Sequence, residues 1–497
     1  MPIPSPLPEE LSTQDPAAAQ AGSYPLLPPD VASEVVPIKT SQTSFDRLLV
    51  RIANVLGLDR AVVFTILARG WSSLAGLGTL TLIAHFLSPV EQGYYYTFYS
   101  LVAIQVVFEL GFSVVILQTA SHEAAHLTIG ADGTISGPVG SHARLASVLQ
   151  KSVRWYSIAA VAMAAVVLPI GMHFFRTQAL AHPSAQPIAW IAPWVLVILA
   201  TTCTFQIDPT FSFLEGCGFV PQVARTRLVQ AVLGTMMGWS ALLSHHGLCA
   251  PGFVVLGQAI GGSWFVYGKR RLLLPLLRFD PGKYRIHWGS EIWPFQWRIA
   301  VSWLCGYVIF QLFNPILFHY RGPVEAGQMG MSISICGTLS AMAIAWMSTK
   351  AAPFGQMIAR REYERLDQIF FRAMFQSTSV AIVASIVVLI ATIILRAHRV
   401  PFAVRLLPPL PFGMLLGATM LNIIVFAEAL YIRAHKQEKF MTNAILGAIW
   451  VGPSSIFFGK HYGAVGIAGA YLLGCIVIGI GQGTYIFIKW RRIWHAA

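Results

Sequence analysis

His85-Phe86-Leu87-Ser88-Pro89-Val90-Glu91-Gln92-Gly93 returns 234 residues later as His319-Tyr320-Arg321-Gly322-Pro323-Val324-Glu325-Ala326-Gly327. Five of the nine positions are identical, and an aromatic follows the histidine in both copies. A second correspondence pairs Gly252-Phe-Val-Val-Leu-Gly257 with Gly469-Ala-Tyr-Leu-Leu-Gly474, and each of these runs closes on basic residues, Lys269-Arg-Arg and Lys489-Trp-Arg-Arg. Each copy of the nonapeptide joins two long apolar runs. What repeats is therefore a helical hairpin, and the chain reads as two related halves.

Composition says what kind of helices these are. Of 497 residues, 55% are hydrophobic and only 11% charged, and the mean hydropathy is +0.62. A soluble protein carries roughly 25% charged residues because its outside must face water. An outside this apolar belongs in a bilayer. The net charge of +13 could suggest nucleic acid, but that reading needs Lys and Arg gathered on one solvated face. They are scattered between apolar runs, so no nucleic-acid partner is expected. The six cysteines form no CxxC pair and lie in or beside apolar segments, so they read as packing residues and no metal site is expected.

A spanning helix needs roughly 20 largely apolar residues. Twelve stretches qualify: 62–86, 94–118, 155–175, 188–213, 223–243, 249–267, 296–318, 326–348, 369–395, 406–432, 441–458 and 464–488. With the N-terminus inside, 26 of the 34 Lys and Arg fall on the cytoplasmic side. Six fall outside, at Arg176, Arg321, Arg396, Arg399, Arg405 and Lys460, and two, Arg69 and Arg298, lie within expected helices. Shifting the count by one span would scramble that alternation. The expectation is an all-α polytopic membrane protein of about twelve transmembrane helices in two six-helix halves, with both termini cytoplasmic. The divisions expected are a disordered tail and lead-in over 1–60, rich in Pro, Ala, Ser and Glu, halves over 61–270 and 294–497, and a cytoplasmic linker over 271–293. Six is even, so the halves enter the membrane in the same sense about an axis along its normal, an arrangement in which a transported substrate passes between them. A membrane enzyme has no need of two matched halves, and the outward loops are too short to carry catalytic groups.

The segment Arg69-Gly-Trp-Ser-Ser-Leu to Leu87-Ser-Pro-Val-Glu-Gln-Gly-Tyr-Tyr-Tyr96, with Phe108-Glu109-Leu-Gly-Phe112, resembles the opening of bacterial polysaccharide-biosynthesis transporters, the O-antigen type flippases. Tyr462-Gly463-Ala-Val-Gly466-Ile-Ala-Gly469-Ala resembles the glycine pattern of their last helix. That family shares a superfamily with lipid II flippases and the multidrug and toxin extrusion carriers. The resemblance implies a two-lobed bundle with a central cavity. It also implies a substrate, an oligosaccharide on an undecaprenyl-type diphosphate, flipped to the periplasmic leaflet of the inner membrane for a polysaccharide polymerase and supplied by glycosyltransferases. Lipid II flippases usually carry two further helices that this chain lacks, which turns the expectation away from lipid II itself.

A flippase must pass a diphosphate through a medium where an unpaired charge costs at least ~2.5 kcal/mol. Arg meets that need, because it pairs bidentately with phosphate and keeps its charge when desolvated. Arg69 and Arg298, in the opening helix of each half, are the first candidates for the substrate site; the alternative is that both snorkel to the inner surface. Glu109 lies deep in helix two, as a cavity group or a partner for Arg69. Asp208, beside a Pro209 able to break helix four, and Glu428 in helix ten are candidates for coupling Na⁺ or H⁺; no other cofactor is expected. Pro89, Glu91 and Gly93, with Pro323, Glu325 and Gly327, read as tight outer turns in which the Glu caps the helix that follows. Arg360 to Asp367 reads as a solvated amphipathic helix touching membrane lipid. The competing function is a cation-coupled drug exporter. It predicts an acidic and aromatic cavity, where a flippase predicts a positively lined one.

Overall fold

The computed structural model describes residues 60–495 except 131–132, 182–186, 436 and 438. The tail expected over 1–60 therefore lies outside the described residues but for Arg60. Almost all the rest is helix. The first half contains α1 (Arg60–Phe86), α2 (Pro89–Val102), α3 (Gln105–Glu109), α4 (Phe112–Ala124), α5 (Val139–Ala181), α6 (Ile191–Gly216), α7 (Val220–Leu243) and α8 (Ala250–Gly268). A small hairpin, β1 (Thr128–Ile129) against β2 (Ile135–Ser136), lies between α4 and α5. The linker forms α9 (Arg270–Arg278). The second half contains α10 (Trp293–Gln311), α11 (Phe313–Arg321), α12 (Pro323–Ser348), α13 (Ala351–Ala359), α14 (Tyr363–Ala397), α15 (Pro409–Ala434), α16 (Met441–Gly474) and α17 (Gly483–His495).

Nine runs among the described residues are long and apolar enough to span a membrane, and the bent pair 89–109 and 112–124 makes ten. One of the nine covers 55 residues, Met441–His495. At 1.5 Å per residue that is about 80 Å, more than twice a hydrocarbon core, so it supplies two spans. They part at Gly463, whose φ of +61° no helix contains. The less apolar α7, which carries Arg225 and Arg227 in its first turns, is the remaining span. It is packed between α1 and α8: the Trp239 indole donates to Thr79 Oγ1 at 2.8 Å, and a Cβ on Gly257 would lie 2.9 Å from Gly234 Cα. Small residues let helix backbones approach where no hydrophobic drive between helices exists. The total is about twelve.

The halves meet at the end that the basic residues assign to the outside. The repeated turns touch each other there, as repeat-mates lying on a two-fold axis must. A Cβ on Gly93 would overlap the Pro323 carbonyl, and one on Gly327 would lie 2.8 Å from the Gly93 nitrogen. Gln92 donates to the carbonyls of Gly327 at 2.9 Å and Arg405 at 3.0 Å, and Arg405 donates back to Leu87 O at 2.5 Å. Beneath this seal the aromatic core crosses between halves: Phe318 packs on Tyr94 at 4.9 Å and on Phe175 at 5.7 Å, both buried. Each such ring pair is worth about 0.5–1.5 kcal/mol beyond its buried area. Below the seal some helix faces stand apart. A Cβ added to Gly70, Gly306 or Gly337 would meet nothing within 4 Å.

Candidate functional site

Two cavities open beneath the outer seal, one mostly in each half. The first, about 430 Å³, is walled by α1, α2, α7, α8 and α12. Tyr95, Tyr96, Tyr99 and Trp239 supply its aromatic faces, and Ser72, Thr79, Thr235, Gln258 and Thr338 its polar ones. The second, about 630 Å³, is walled by α10, α12, α15 and α16, with Asn422, Asn443, Thr419, Tyr471 and Arg433 on its surface. Gln311, Asn314 and Ile333 line both, so the cavities adjoin at the start of α11. No Asp or Glu lines either among the described residues.

Asn314 sits where they meet. Its amide nitrogen donates to Ser100 Oγ at 2.9 Å, across the two halves, while its amide oxygen is buried with no partner. A buried acceptor left unmade costs about 1–3 kcal/mol, so this oxygen is poised for a donor from a ligand. Asn422 is held by the opposite logic, donating to Ala418 O at 3.0 Å and to Tyr471 Oη at 2.8 Å.

The residues singled out from the sequence fall in three places. Arg69 and Arg298 are exposed at the inner rim, three residues before Ser72 and four before Ser302, where their helices begin to line the cavities. Arg69 makes no hydrogen bond or ion pair among the described residues, and the Arg298 guanidinium lies 5.7 Å from the Trp297 ring centre. Neither Glu109 nor Asp208 lines either cavity. Tyr156 Oη donates to Glu109 Oε1 at 3.3 Å. Glu109 therefore pairs with Tyr156 and not with Arg69. Pro209 does not break its helix: α6 runs unbroken from Ile191 to Gly216. Glu428 is 4% exposed, so it is not solvated; Thr484 Oγ1 donates to its Oε1 at 2.8 Å and its Oε2 has no partner.

The repeated turns show two uses of one residue. Ser88 N donates to Glu91 Oε2 at 2.8 Å and Glu91 N to Ser88 Oγ at 3.2 Å, a capping box that starts α2 at Pro89. In the second copy Gly322 replaces the serine, and Glu325 caps a different helix, accepting from Ala464 N at 2.5 Å just past the break at Gly463.

Sequence reasoning also misplaced Asp367. No separate amphipathic helix covers 360–367: Arg360 to Glu362 turn the chain, with Arg361 at φ +59°, and α14 begins at Tyr363. Asp367 is buried one turn inside it, accepting from Tyr431 Oη at 2.9 Å and Arg491 Nε at 2.9 Å. Arg433 and Asn314 were missed. Arg433 looked like one more cytoplasmic loop cation, whereas an asparagine inside an apolar run such as Asn314 was a signal available from the sequence alone.

With that geometry in view, the fold is recognisable as one that solved transporters share. An inward-facing conformation of a multidrug resistance MATE family transporter of the MOP superfamily matches with a TM-score of 0.57 and 14% identity, over 86% of this chain and 95% of that one. The lipid II flippase MurJ in an inward closed conformation matches with a TM-score of 0.54 and 14% identity, over 88% and 90%. The MATE multidrug transporter DinF-BH matches with a TM-score of 0.56 and 12% identity, over 88% and 96%. No protein-family model matches the sequence, and no curated protein does. At such identities the likeness is one of fold.

Proposed function

We propose that this chain is an alternating-access carrier that flips a lipid-linked oligosaccharide, a glycan on an undecaprenyl-type diphosphate, from the cytoplasmic to the periplasmic leaflet of a bacterial inner membrane. It is a carrier and not an enzyme, with both termini cytoplasmic. The observation that carries the reading is the lining of the joined cavities: amides, hydroxyls, aromatic faces and Arg433, with no carboxylate among the described residues. Glycan hydroxyls need both donors and acceptors, and Asn314 has an acceptor to spare. A diphosphate needs a cation that stays charged when dry, as Arg does. Arg69 and Arg298 receive it at the rim. Glu428, and Asp208 with Glu109, carry the coupling Na⁺ or H⁺, supported by the unpartnered Glu428 Oε2. Glycosyltransferases and a polysaccharide polymerase are the partners such a step requires.

A second reading, a cation-coupled exporter of the multidrug and toxin extrusion type, is favoured by the wall of Tyr95, Tyr96, Tyr99 and Trp239, since aromatic faces attract organic cations. Proteoliposomes separate the two. Translocation of a polyprenyl-diphosphate oligosaccharide, reduced about tenfold by Arg433→Gln and by Asn314→Leu, supports the first. Efflux of a cationic dye with no translocation of the glycolipid supports the second and overturns the first.

A further inference from the structure

The rings of the first cavity are held in place before any ligand arrives. The edge of the Trp239 indole is fixed by its donation to Thr79 Oγ1, and the ring comes close to α1 because Gly78 has no side chain: a Cβ there would lie 2.9 Å from Trp239 Cζ2. Trp71 stands beside it, with ring centres 6.5 Å apart. On α2, Tyr95 meets Tyr96 and Tyr99 edge-on at 5.2 and 5.3 Å. Gly330 of α12 makes room for Tyr96, since a Cβ on it would overlap the tyrosine Cβ. Rings fixed in this way lose little freedom when a ligand meets them.

The charges on the wall helices are engaged elsewhere. Glu91 closes the capping box with Ser88, and Glu325 caps the backbone at Ala464, both at the outer end. Arg69 stands at the inner rim, and Arg225 and Arg227 lie in the first turns of α7, where Arg227 holds Glu215 at 3.3 Å. From Arg69 onward these are all the Asp, Glu, Lys and Arg of α1, α2, α7, α8 and α12. The cavity therefore offers aromatic faces, hydroxyls and amides, and one acceptor with no partner, Asn314 Oδ1, on a residue only 7% exposed.

A sugar ring matches that lining. Its C–H groups present an apolar face to the aromatic rings, and its hydroxyls surround the edge where polar side chains can fix its orientation. An acidic sugar does not match. Its carboxylate would give up water with an acceptor, Asn314 Oδ1, in front of it and no wall cation in exchange. Arg433, by contrast, lines the second cavity.

We propose that the first cavity is the sugar subsite of the transport path and takes an uncharged hexose-type residue. The sugar stacks on the Trp239 face, with Asn314 Oδ1 accepting from a hydroxyl or an acetamido N–H, while the diphosphate lies in the second cavity at Arg433. Uronic acids are refused. The inference rests on the lipid-linked oligosaccharide reading and adds which glycans pass and which part of the glycolipid lies where.

The test uses the full-length protein with three probes: a polyprenyl diphosphate bearing glucose, the same lipid bearing glucuronate, and the sugar-free lipid. Binding is counted in nanodiscs by native mass spectrometry, and translocation is measured in proteoliposomes. The expected result is retention of the glucosyl lipid at least tenfold above the glucuronosyl lipid. Gln258→Arg, which places a cation in the wall, closes most of that gap. Trp239→Leu lowers retention of the glucosyl lipid about tenfold and leaves the sugar-free lipid unchanged, whereas Trp239→Phe keeps most of the preference. Equal retention of the two glycolipids overturns the subsite, and if both are also translocated the carrier reading stands without it. An equal loss of the sugar-free lipid in Trp239→Leu protein that melts like the parent overturns it as well. Preferential retention of the glucosyl lipid with translocation of neither keeps the subsite and overturns the carrier reading. Retention of neither overturns both.

Discussion

Helices two and eight start from the same Pro-Val-Glu-x-Gly turn and end differently. Helix eight, α12, is continuous from Pro323 to Ser348. Helix two bends by 44° where Leu110 and Gly111 adopt φ of +52° and +65°, dividing α3 from α4. The bend lets α10 and the segment before it come close: a Cβ on Gly111 would overlap Ile299 Cγ2, and Phe112 packs on Trp288, just ahead of α10, at 4.4 Å. At the repeat position in helix eight stands Ala345, which has no need of a left-handed conformation. The outer ends of the two halves are matched because each must seal against the other. The inner ends are free to differ.

The polar clamps at those inner ends repeat the lesson with the charges exchanged. In the first half a cation near the start of α5, Arg144, grips Glu123 at 2.7 Å and Glu291 of the linker at 2.6 Å. In the second an anion near the start of α14, Asp367, grips Arg491 and lies 3.6 Å from His495, both from the C-terminal helix. The third helix of the first half holds the linker that follows it, and the third helix of the second half holds the last helix. The architecture demands the tie and not its sign.

The seal offers the largest way to break the symmetry. Gly93→Leu and Gly327→Leu should each abolish closure of the outer end, because backbone and not a flexible side chain stands in the way. The expected loss is at least ~3 kcal/mol of thermal stability or a wholly outward-open population, read by spin-label distances across the halves. The clamps come next. Asp367→Ala strands a half-buried Arg491 and should cost about 2–3 kcal/mol in thermal unfolding, and Arg144→Leu a similar amount through the buried Glu123. If Asp367→Arg with Arg491→Asp restores most of that stability, the sign of the clamp is arbitrary as argued. Gly111→Ala should cost about 2 kcal/mol from strain at positive φ and the clash with Ile299, whereas Ala345→Gly at the matched position should cost about 1 kcal/mol through helix propensity alone.

The smallest effect is one of pH. Burial by itself would raise the Glu291 carboxyl, but the Arg144 guanidinium and the His287 N–H outweigh it and hold that carboxyl below its ordinary value. A depressed carboxyl contributes stability that is fully present above its unfolded value, roughly 4.3, and is lost as pH falls through the folded one. Hydrogen exchange over 286–292 should therefore stay slow down to about pH 4 and quicken only below it.

Much of the fold was legible in one dimension, for physical reasons that can be named. Apolar runs of bilayer length announce spans because nothing else satisfies the backbone in lipid. The Pro-Val-Glu-x-Gly repeat announces two halves. The surroundings of the polar residues were harder to read. Arg433 looked like every other cytoplasmic cation, and Asp367 looked like surface charge beside Arg360 and Glu362. Pro209 looked like a helix break, yet α6 absorbs it, because a helix surrounded by others loses only one hydrogen bond there and keeps its packing.

What the sequence determined by itself was the approximate number of spans and the pairing of the halves, since each depends on local hydropathy or repeat. Tertiary structure alone decided which polar side chains face the cavities. It set Asn314 at their junction, paired Glu109 with Tyr156, and turned Glu325 from capping its own helix to capping another. Facing is a property of how helices rotate against their neighbours. Inside an apolar span, the periodicity that would reveal that rotation is too weak to read.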